Sequence, residues 1–501
     1  MENGTVTVRY NGAVITAERG QRLSDALGID LPCGGHGRCG KCRVYAHGGL
    51  SAPSENERAV LCEAELAHGV RLACCAILTG DCVAEPIRNA EENARIVSDG
   101  AMDSFSLDPA FLHYGAAIDI GTTTVAARLY AADGTLSAEA SLLNPQAPFG
   151  ADVISRMEAA IGGKSAQLAQ AIRRGIDRLL LTLAGQAGIL PTAIDGAVIT
   201  GNTAMLYLLT ETSTEPLSHA PFRMDRAFGE CLTAETLGLS ALASETAVYL
   251  APCISAFVGG DTVSAILATG MCKRTDTVLL ADIGTNGEIA LWHGGSLSVC
   301  STAAGPAFEG VGISMGMRGA DGAIDRVAIV NGALSAHVLG EGTARGICGS
   351  GLVDAVAAML DLAVIDETGY MEDDPCTVSG AVTLTGKDIR MVQLAKSAIS
   401  AGMRTLLREA SVSPHAVGEL LVAGGFGSYL HAENAMRIGL IPGELRGRIR
   451  TVGNAALGGA SMLLLSRPLR EDAEALARRA VTTELSTNAA FSEYYMTGML
   501  F

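Results

Sequence analysis

Two stretches of this 501-residue chain echo one another, and the echo restricts the folds open to it more than any other feature. Ala116–Tyr130 reads AAIDIGTTTVAARLY, and Leu279–Trp292 reads LLADIGTNGEIALW. Each is an apolar run ending in Asp-Ile-Gly-Thr, then a polar turn, then a second apolar run. That pattern predicts two buried strands joined by a tight turn. Asp119 and Asp282 stand 163 positions apart. A repeat at domain-sized spacing predicts an α/β architecture of two duplicated subdomains facing one another across a cleft. The chain has 60 Gly but one Trp. Ligand sites in such a chain are lined by backbone turns rather than by aromatic platforms.

The turns carry chemistry. After Asp119, Gly121, Thr122, Thr123 and Thr124 offer backbone N–H groups and hydroxyls to a phosphate, as Gly284, Thr285 and Asn286 do after Asp282. An Asp at the strand end holds Mg²⁺ through water, because Mg²⁺ dehydrates reluctantly. One such turn is an ordinary hairpin; two copies point to a nucleotide. Leu420–Leu430 (LLVAGGFGSYL) is a strand opening into Gly424-Gly425-Phe426-Gly427, a turn that lets backbone approach a flat ligand such as adenosine. Ile199–Leu206 (ITGNTAML) predicts a helix starting at Gly201-Asn202-Thr203 with its N-terminus toward a phosphate. Asp261 follows Gly259-Gly260 and is an outside candidate for positioning water, with a helix N-cap as the competing role. No Gly-x-x-x-x-Gly-Lys-[Ser/Thr] phosphate loop is present.

The first 88 residues are chemically distinct. Of 13 Cys, seven fall in the first 82 positions. Cys33, Cys39 and Cys42 form C-x5-C-x2-C with Gly34, Gly35, Gly37 and Gly40 interleaved. Thiolates on a tight glycine loop plus one distant Cys suit an iron–sulfur cluster, though the loop is one residue longer than the plant-type spacing. Four-cysteine zinc is the competing reading. The spacing leaves the fourth ligand open among Cys62, Cys74, Cys75 and Cys82. Strands at residues 5–10 and 13–17 flank Asn11-Gly12, helix is predicted over 55–67, and closing strands over 70–84. Residues 89–112 are polar and acidic and read as a linker, or alternatively as an ordered strap. The domain boundaries expected are 1–88, 89–112, 113–275 and 276–501.

A net charge of −17 argues against a broad nucleic-acid face. No run of 18 apolar residues predicts a membrane span, and the N-terminus MENGTVTVRYNG has no basic-then-apolar leader, so a cytoplasmic location is expected. Residues 469–480 (LREDAEALARRA) predict a solvated amphipathic helix.

The paired turns and the adenosine turn resemble the acetate and sugar kinase, chaperone and actin superfamily of ATPases. The cysteine loop resembles adrenodoxin-like [2Fe–2S] ferredoxins, and that resemblance places the last ligand at Cys74. The two together look like the reductive activators of corrinoid proteins. Asn144–Arg156 (NPQAPFGADVISR), Cys300–Gly310 (CSTAAGPAFEG), Gly346–Asp354 (GICGSGLVD) and Asp388–Ala398 (DIRMVQLAKSA) also fit that family. The resemblance implies a β-grasp ferredoxin-like module followed by an actin-like, ribonuclease H-like ATPase. It implies a [2Fe–2S] cluster on Cys33, Cys39, Cys42 and Cys74, with ATP and Mg²⁺ at Asp119 and Asp282. Thr122, Thr123, Thr285 and Asn286 would hold phosphates, and Gly424, Gly425 and Gly427 would line adenosine. The activity implied is ATP-dependent reduction of Co(II) to Co(I) in the corrinoid protein of a methyltransferase system. A low-potential donor would supply the electron, and the assembly would be a homodimer. An uphill gap of roughly 200 mV corresponds to about 5 kcal/mol for one electron, which a nucleotide-driven change of state can offset. Members commonly carry a middle domain between ferredoxin and ATPase, and the short stretch 89–112 suggests a short form without it. The competing class is a small-molecule kinase carrying a redox-sensing ferredoxin module.

Overall fold

The computed structural model describes residues 4–10, 13–29, 31, 35–37, 40, 42–61, 63–86 and 100–501. Two compact units emerge, one of Met1–Glu92 with Pro145–Ala159, the other of Asn93–Asn144 with Ala160–Phe501.

The first unit holds a five-stranded sheet in the order β2-β1-β5-β3-β4. Its strands are β1 Thr5–Tyr10, β2 Ala13–Glu18, β3 Arg43–Leu50, β4 Val70–Leu72 and β5 Leu78–Pro86. The alternation in TVTVRY buries Val6 and Val8 and leaves Thr5 outside, as a sheet with one packed face requires. β1 pairs antiparallel with β2 and parallel with β5. The predicted helix over 55–67 forms as two short helices, Glu55–Val60 and Glu63–Ala67. The first begins with a capping box between Ser54 and Glu57. Glu57 does more than cap. Its fully buried carboxylate accepts from Arg71 Nε at 2.9 Å and from the Leu72 N–H at 3.1 Å. This ties the helix to the strand that leads into Cys74. Burial alone would raise the Glu57 carboxyl, but the Arg71 and backbone hydrogen bonds bring it below its ordinary value.

The second unit realises the sequence echo. One six-stranded sheet runs β10-β11-β9-β6-β7-β8, built from β6 Tyr114–Ile120, β7 Thr124–Ala131, β8 Leu136–Leu143, β9 Ile194–Gly201, β10 Glu230–Thr233 and β11 Ala247–Leu250. The other contains β12 Thr277–Ile283, β13 Gly287–His293 and β14 Ser296–Thr302. A three-stranded sheet follows it in the chain, formed by β15 Ala323–Val330, β16 Ala333–Val338 and β17 Gly346–Ile347. Then come the hairpin of β18 Cys376–Ser379 and β19 Val382–Leu384, and finally β20 Val417–Ala423, β21 Ile449–Gly453 and β22 Val481–Thr482. The second large sheet is ordered β21-β20-β12-β13-β14-β22. The pairing senses match. β6 and β12 are each antiparallel to the strand after the Asp turn and parallel to a later strand, β9 or β20. β11 and β21 extend each sheet in parallel.

Helices Gly260–Thr269 and Ala455–Leu465 follow β11 and β21. All of Ala455–Leu465 is buried. They cross closely enough that a Cβ on Gly459 would lie 1.9 Å from the Ser264 carbonyl oxygen. Small residues here let the two halves share one interior.

Residues 100–112 are an ordered strap, the alternative reading for that part of 89–112, and not a free linker. Ala101 N–H donates to Val452 O at 2.9 Å, Asp103 N–H to Ala268 O at 2.8 Å, and Phe111 is buried. Apolar side chains at Phe105 and Phe111 supply a face to pack. Residues 87–99 lie outside the described residues. The amphipathic C-terminal stretch forms the helix Pro468–Arg479 as expected. Among the described residues, no helix is long and apolar enough to cross a membrane.

Candidate functional site

The two Asp turns open onto one cavity of about 480 Å³ in the second unit. Its walls include Asp119, Gly121, Thr122, Thr123, Thr124, Asn202 and Asp261 from the first half. From the second half come Asp282, Gly284, Thr285, Asn286, Gly424, Gly425 and Phe426. Sequence candidates from opposite ends of the chain thus meet. Three others support the walls without lining them. A Cβ on Gly201 would meet Ile120 O at 2.8 Å, and one on Gly427 would meet Val422 Cγ1 at 2.8 Å. Thr203 is buried and donates to Ser255 O at 2.7 Å.

Gly424 has φ of +94°, and a Cβ there would lie 2.8 Å from Asp282 Oδ1, so both backbone and space require glycine at this turn. The stacked rings of Phe308 and Phe426, with centroids 4.9 Å apart, close the same side of the cavity.

Carboxylates dominate the electrostatics. Burial pushes the Asp119 carboxyl up to about 8, with Asp261 and Asp282 adding repulsion and Asn454 opposing it. Burial, Asp261 and Glu309 together raise Asp282 to about 7. Asp261 and Glu288 are raised as well, burial being the main cause for both. Four acids held above the carboxylate range in one cleft form a charge set that a cation would relieve. Among the described residues, no group of three or more His, Cys, Asp or Glu is close enough to hold a metal ion directly. Asp261 is not the N-cap of its helix. That place is taken by Gly259, while Asp261 Oδ1 accepts from the Thr262 N–H at 2.7 Å.

Three site residues, Asn454, Glu288 and Glu309, escaped the sequence reading. Asn454 caps helix Ala455–Leu465 and donates to Asp119 Oδ2 at 3.2 Å. Asn202, capping the helix after β9, donates to Glu288 Oε1 at 3.4 Å. Glu288 sits opposite Asp282 in the β12–β13 ladder. Glu309 accepts from the hydroxyls of Thr123 and Thr285, the latter at 2.9 Å. A signal for Asn454 existed: Gly453-Asn454-Ala455-Ala456 after a strand repeats the Gly201-Asn202-Thr203-Ala204 pattern. For Glu309 no local signal existed beyond its place in the stretch Cys300–Gly310.

In the first unit, Cys42 and Cys74 are buried, with their Sγ atoms 3.2 Å apart. Cys75 Sγ is 3.7 Å from Cys74 Sγ, and burial pushes the Cys75 thiol up to about 11. Gly35, Gly37 and Gly40 all have positive φ, and a Cβ on Gly37 would lie 2.6 Å from Cys75 Sγ. Cys82 is buried on β5, paired with Val8. Cys33, Cys39, Cys62 and Gly34 lie outside the described residues.

Three family models match. Residues 6–79 match the 2Fe-2S iron–sulfur cluster binding domain, 114–274 the RACo middle region, and 276–501 the C-terminal domain of RACo, an ASKHA domain. The chain is 34% identical over 423 residues to the corrinoid activation enzyme RamQ of Eubacterium limosum, covering 77% of this chain and 70% of that protein. It is 26% identical over 417 residues to the [Co(II) methylated amine-specific corrinoid protein] reductase of Methanosarcina barkeri, covering 76% of each. A solved reductive activator for corrinoid, iron–sulfur protein superposes with a TM-score of 0.73 at 27% identity, over 99% of this chain and 98% of that one. The match at 114–274 corrects one expectation. The middle region is present, and it is the first half of the cleft rather than an element missing before it.

Proposed function

The chain belongs to the RACo family, and from that premise we propose that it reductively activates a corrinoid protein in an ATP-dependent cycle, passing one electron to convert Co(II) to Co(I). The observation that carries this reading is the convergence of the Asp119 and Asp282 turns on one cleft, in a chain that also holds the Cys42–Cys74 pair.

Cys33, Cys39, Cys42 and Cys74 would hold a [2Fe–2S] cluster, which supplies a one-electron carrier when bound. The buried position of Cys74 beside Cys42 favours it over Cys75 as the fourth ligand. Arg71 and Glu57 hold the strand before Cys74 in place. In the cleft, the backbone of Gly121 to Thr124 and of Gly284 to Asn286 binds phosphates. Gly424 and Gly425 allow the adenosine moiety close to the backbone. Asp119 and Asp282 would hold Mg²⁺ through water, and Asp261 would orient the attacking water. Asn454 fixes the Asp119 carboxylate from the opposite half. Nucleotide therefore touches both halves at once, and only a ligand with different affinity for two states can shift their balance. The proposal also includes a low-potential donor outside the chain and a homodimeric assembly.

The test is anaerobic. Cluster-loaded protein, a low-potential reductant and a corrinoid protein in the Co(II) state are mixed, and visible spectra are recorded with and without Mg-ATP. The Co(I) band is expected to grow only with Mg-ATP. No effect of ATP with an intact cluster, across several corrinoid proteins, would refute the proposal and favour a kinase.

A further inference from the structure

Glu309 occupies an unusual place. It ends the short turn Pro306–Glu309 after β14. That turn is fixed at both sides. Gly305 N–H donates to Thr285 O at 2.9 Å, and Gly310 has φ of +77° with its would-be Cβ 2.6 Å from Met317 O. Behind it, Phe308 is buried against Phe426. The carboxylate is thereby held out into the cleft from a rigid base. One oxygen accepts from Thr123 Oγ1 and the other from Thr285 Oγ1. These hydroxyls belong to the two phosphate turns, one in each half of the unit. Glu309 bridges 186 positions to the first and 24 to the second.

A carboxylate accepting from two hydroxyls repeats what two phosphate oxygens do in the same place. The hydroxyls cannot serve both acceptors at full strength, and two anions there repel. Accordingly we infer that Glu309 is an internal competitor for the phosphate position: it ties the two turns together and must release Thr123 and Thr285 when the nucleotide phosphates arrive. Part of the nucleotide's binding free energy is then used to break this tie. Glu309 acts as a positioning residue, through the threonines. The inference rests on the nucleotide reading above and goes beyond it by naming the residue that opposes binding.

Calorimetric titration of the full-length, cluster-loaded protein with the magnesium complex of β,γ-imido-ATP tests this. Glu309→Gln keeps the side-chain shape but removes the charge and one of the two acceptors. It is expected to bind the analogue about tenfold tighter or more, a change of about 1.4 kcal/mol. Glu309→Asp is too short to span both hydroxyls and is expected to shift the same way, which covers a failure of the Gln variant to fold. A residue with a merely structural role would weaken binding when replaced. Equal or weaker binding in both variants, with the unaltered protein binding normally, would overturn the inference and assign Glu309 to supporting the bound nucleotide. If neither the unaltered protein nor the variants bind the analogue, the nucleotide reading falls and this inference with it.

Discussion

Replacing Asp119 by Asn should stabilise the empty protein while removing its ATP turnover. The Asn side chain has the size of Asp and keeps an oxygen to accept from Asn454, which now donates to Asp119 Oδ2 at 3.2 Å. What changes is charge. The buried Asp119 carboxyl titrates near 8 rather than near 3.8, chiefly through burial and then through Asp261. A displacement of that size corresponds to on the order of 5 kcal/mol against the ionised form. Relaxation and shared repulsion within the cluster reduce the recoverable part to about 2 kcal/mol. The sign follows from proton linkage. Below about pH 4 the carboxyl is protonated folded or unfolded and contributes nothing. Between about pH 4 and pH 8 the unfolded chain releases the proton and the folded chain keeps it, so folding stability falls as pH rises. The gain from Asp119→Asn is therefore small at pH 5 and full at pH 8 and above. For a unit of this size, 2 kcal/mol is about 2–3 °C in Tm. Scanning calorimetry on nucleotide-free protein with chelator, at both pH values, measures it. An equal shift at pH 5 and pH 8, or a loss of stability at pH 8, would refute the reasoning.

Two further expectations follow from the geometry. Gly459→Ala places a methyl carbon only 1.9 Å from the Ser264 carbonyl oxygen; overpacking of this kind costs about 1–3 kcal/mol or more, read as a lowered Tm, and a neutral result would show that the helix pair can separate freely. Cys74→Ser should abolish the visible cluster absorption after anaerobic reconstitution whereas Cys75→Ser should retain it, and the reverse pattern would transfer the fourth ligand to Cys75.

How much of this was legible in advance depends on the range of the interaction. The β6–β7 and β12–β13 hairpins were legible, because an apolar run, an Asp-Ile-Gly-Thr turn and a second run leave one local geometry open. So were the glycine turn at Gly424 and the helix after Asn202, both set by residues within a few positions. The helix over 55–67 was legible in extent but not in continuity, since it divides around Leu61. The stretch 100–112 read first as a linker because its polar composition hides two aromatic anchors, Phe105 and Phe111, which pack on a core assembled from both halves of the unit.

The sequence by itself determined the parts: two Asp-Ile-Gly-Thr turns, each between buried strands, and a glycine turn after a third strand. Each depends on short-range backbone chemistry, which residue type and spacing specify directly. Tertiary structure alone decided that Glu288 and Glu309 join Asp119, Asp261 and Asp282 in the cleft, and what answers these acids. Asn454 reaches Asp119 across 335 positions, and Glu309 reaches Thr123 across 186. The elevated Asp119 carboxyl likewise exists only once folding has excluded water and brought Asp261 and Asp282 beside it. Burial and charge proximity are properties of the packed chain, and no local pattern encodes them.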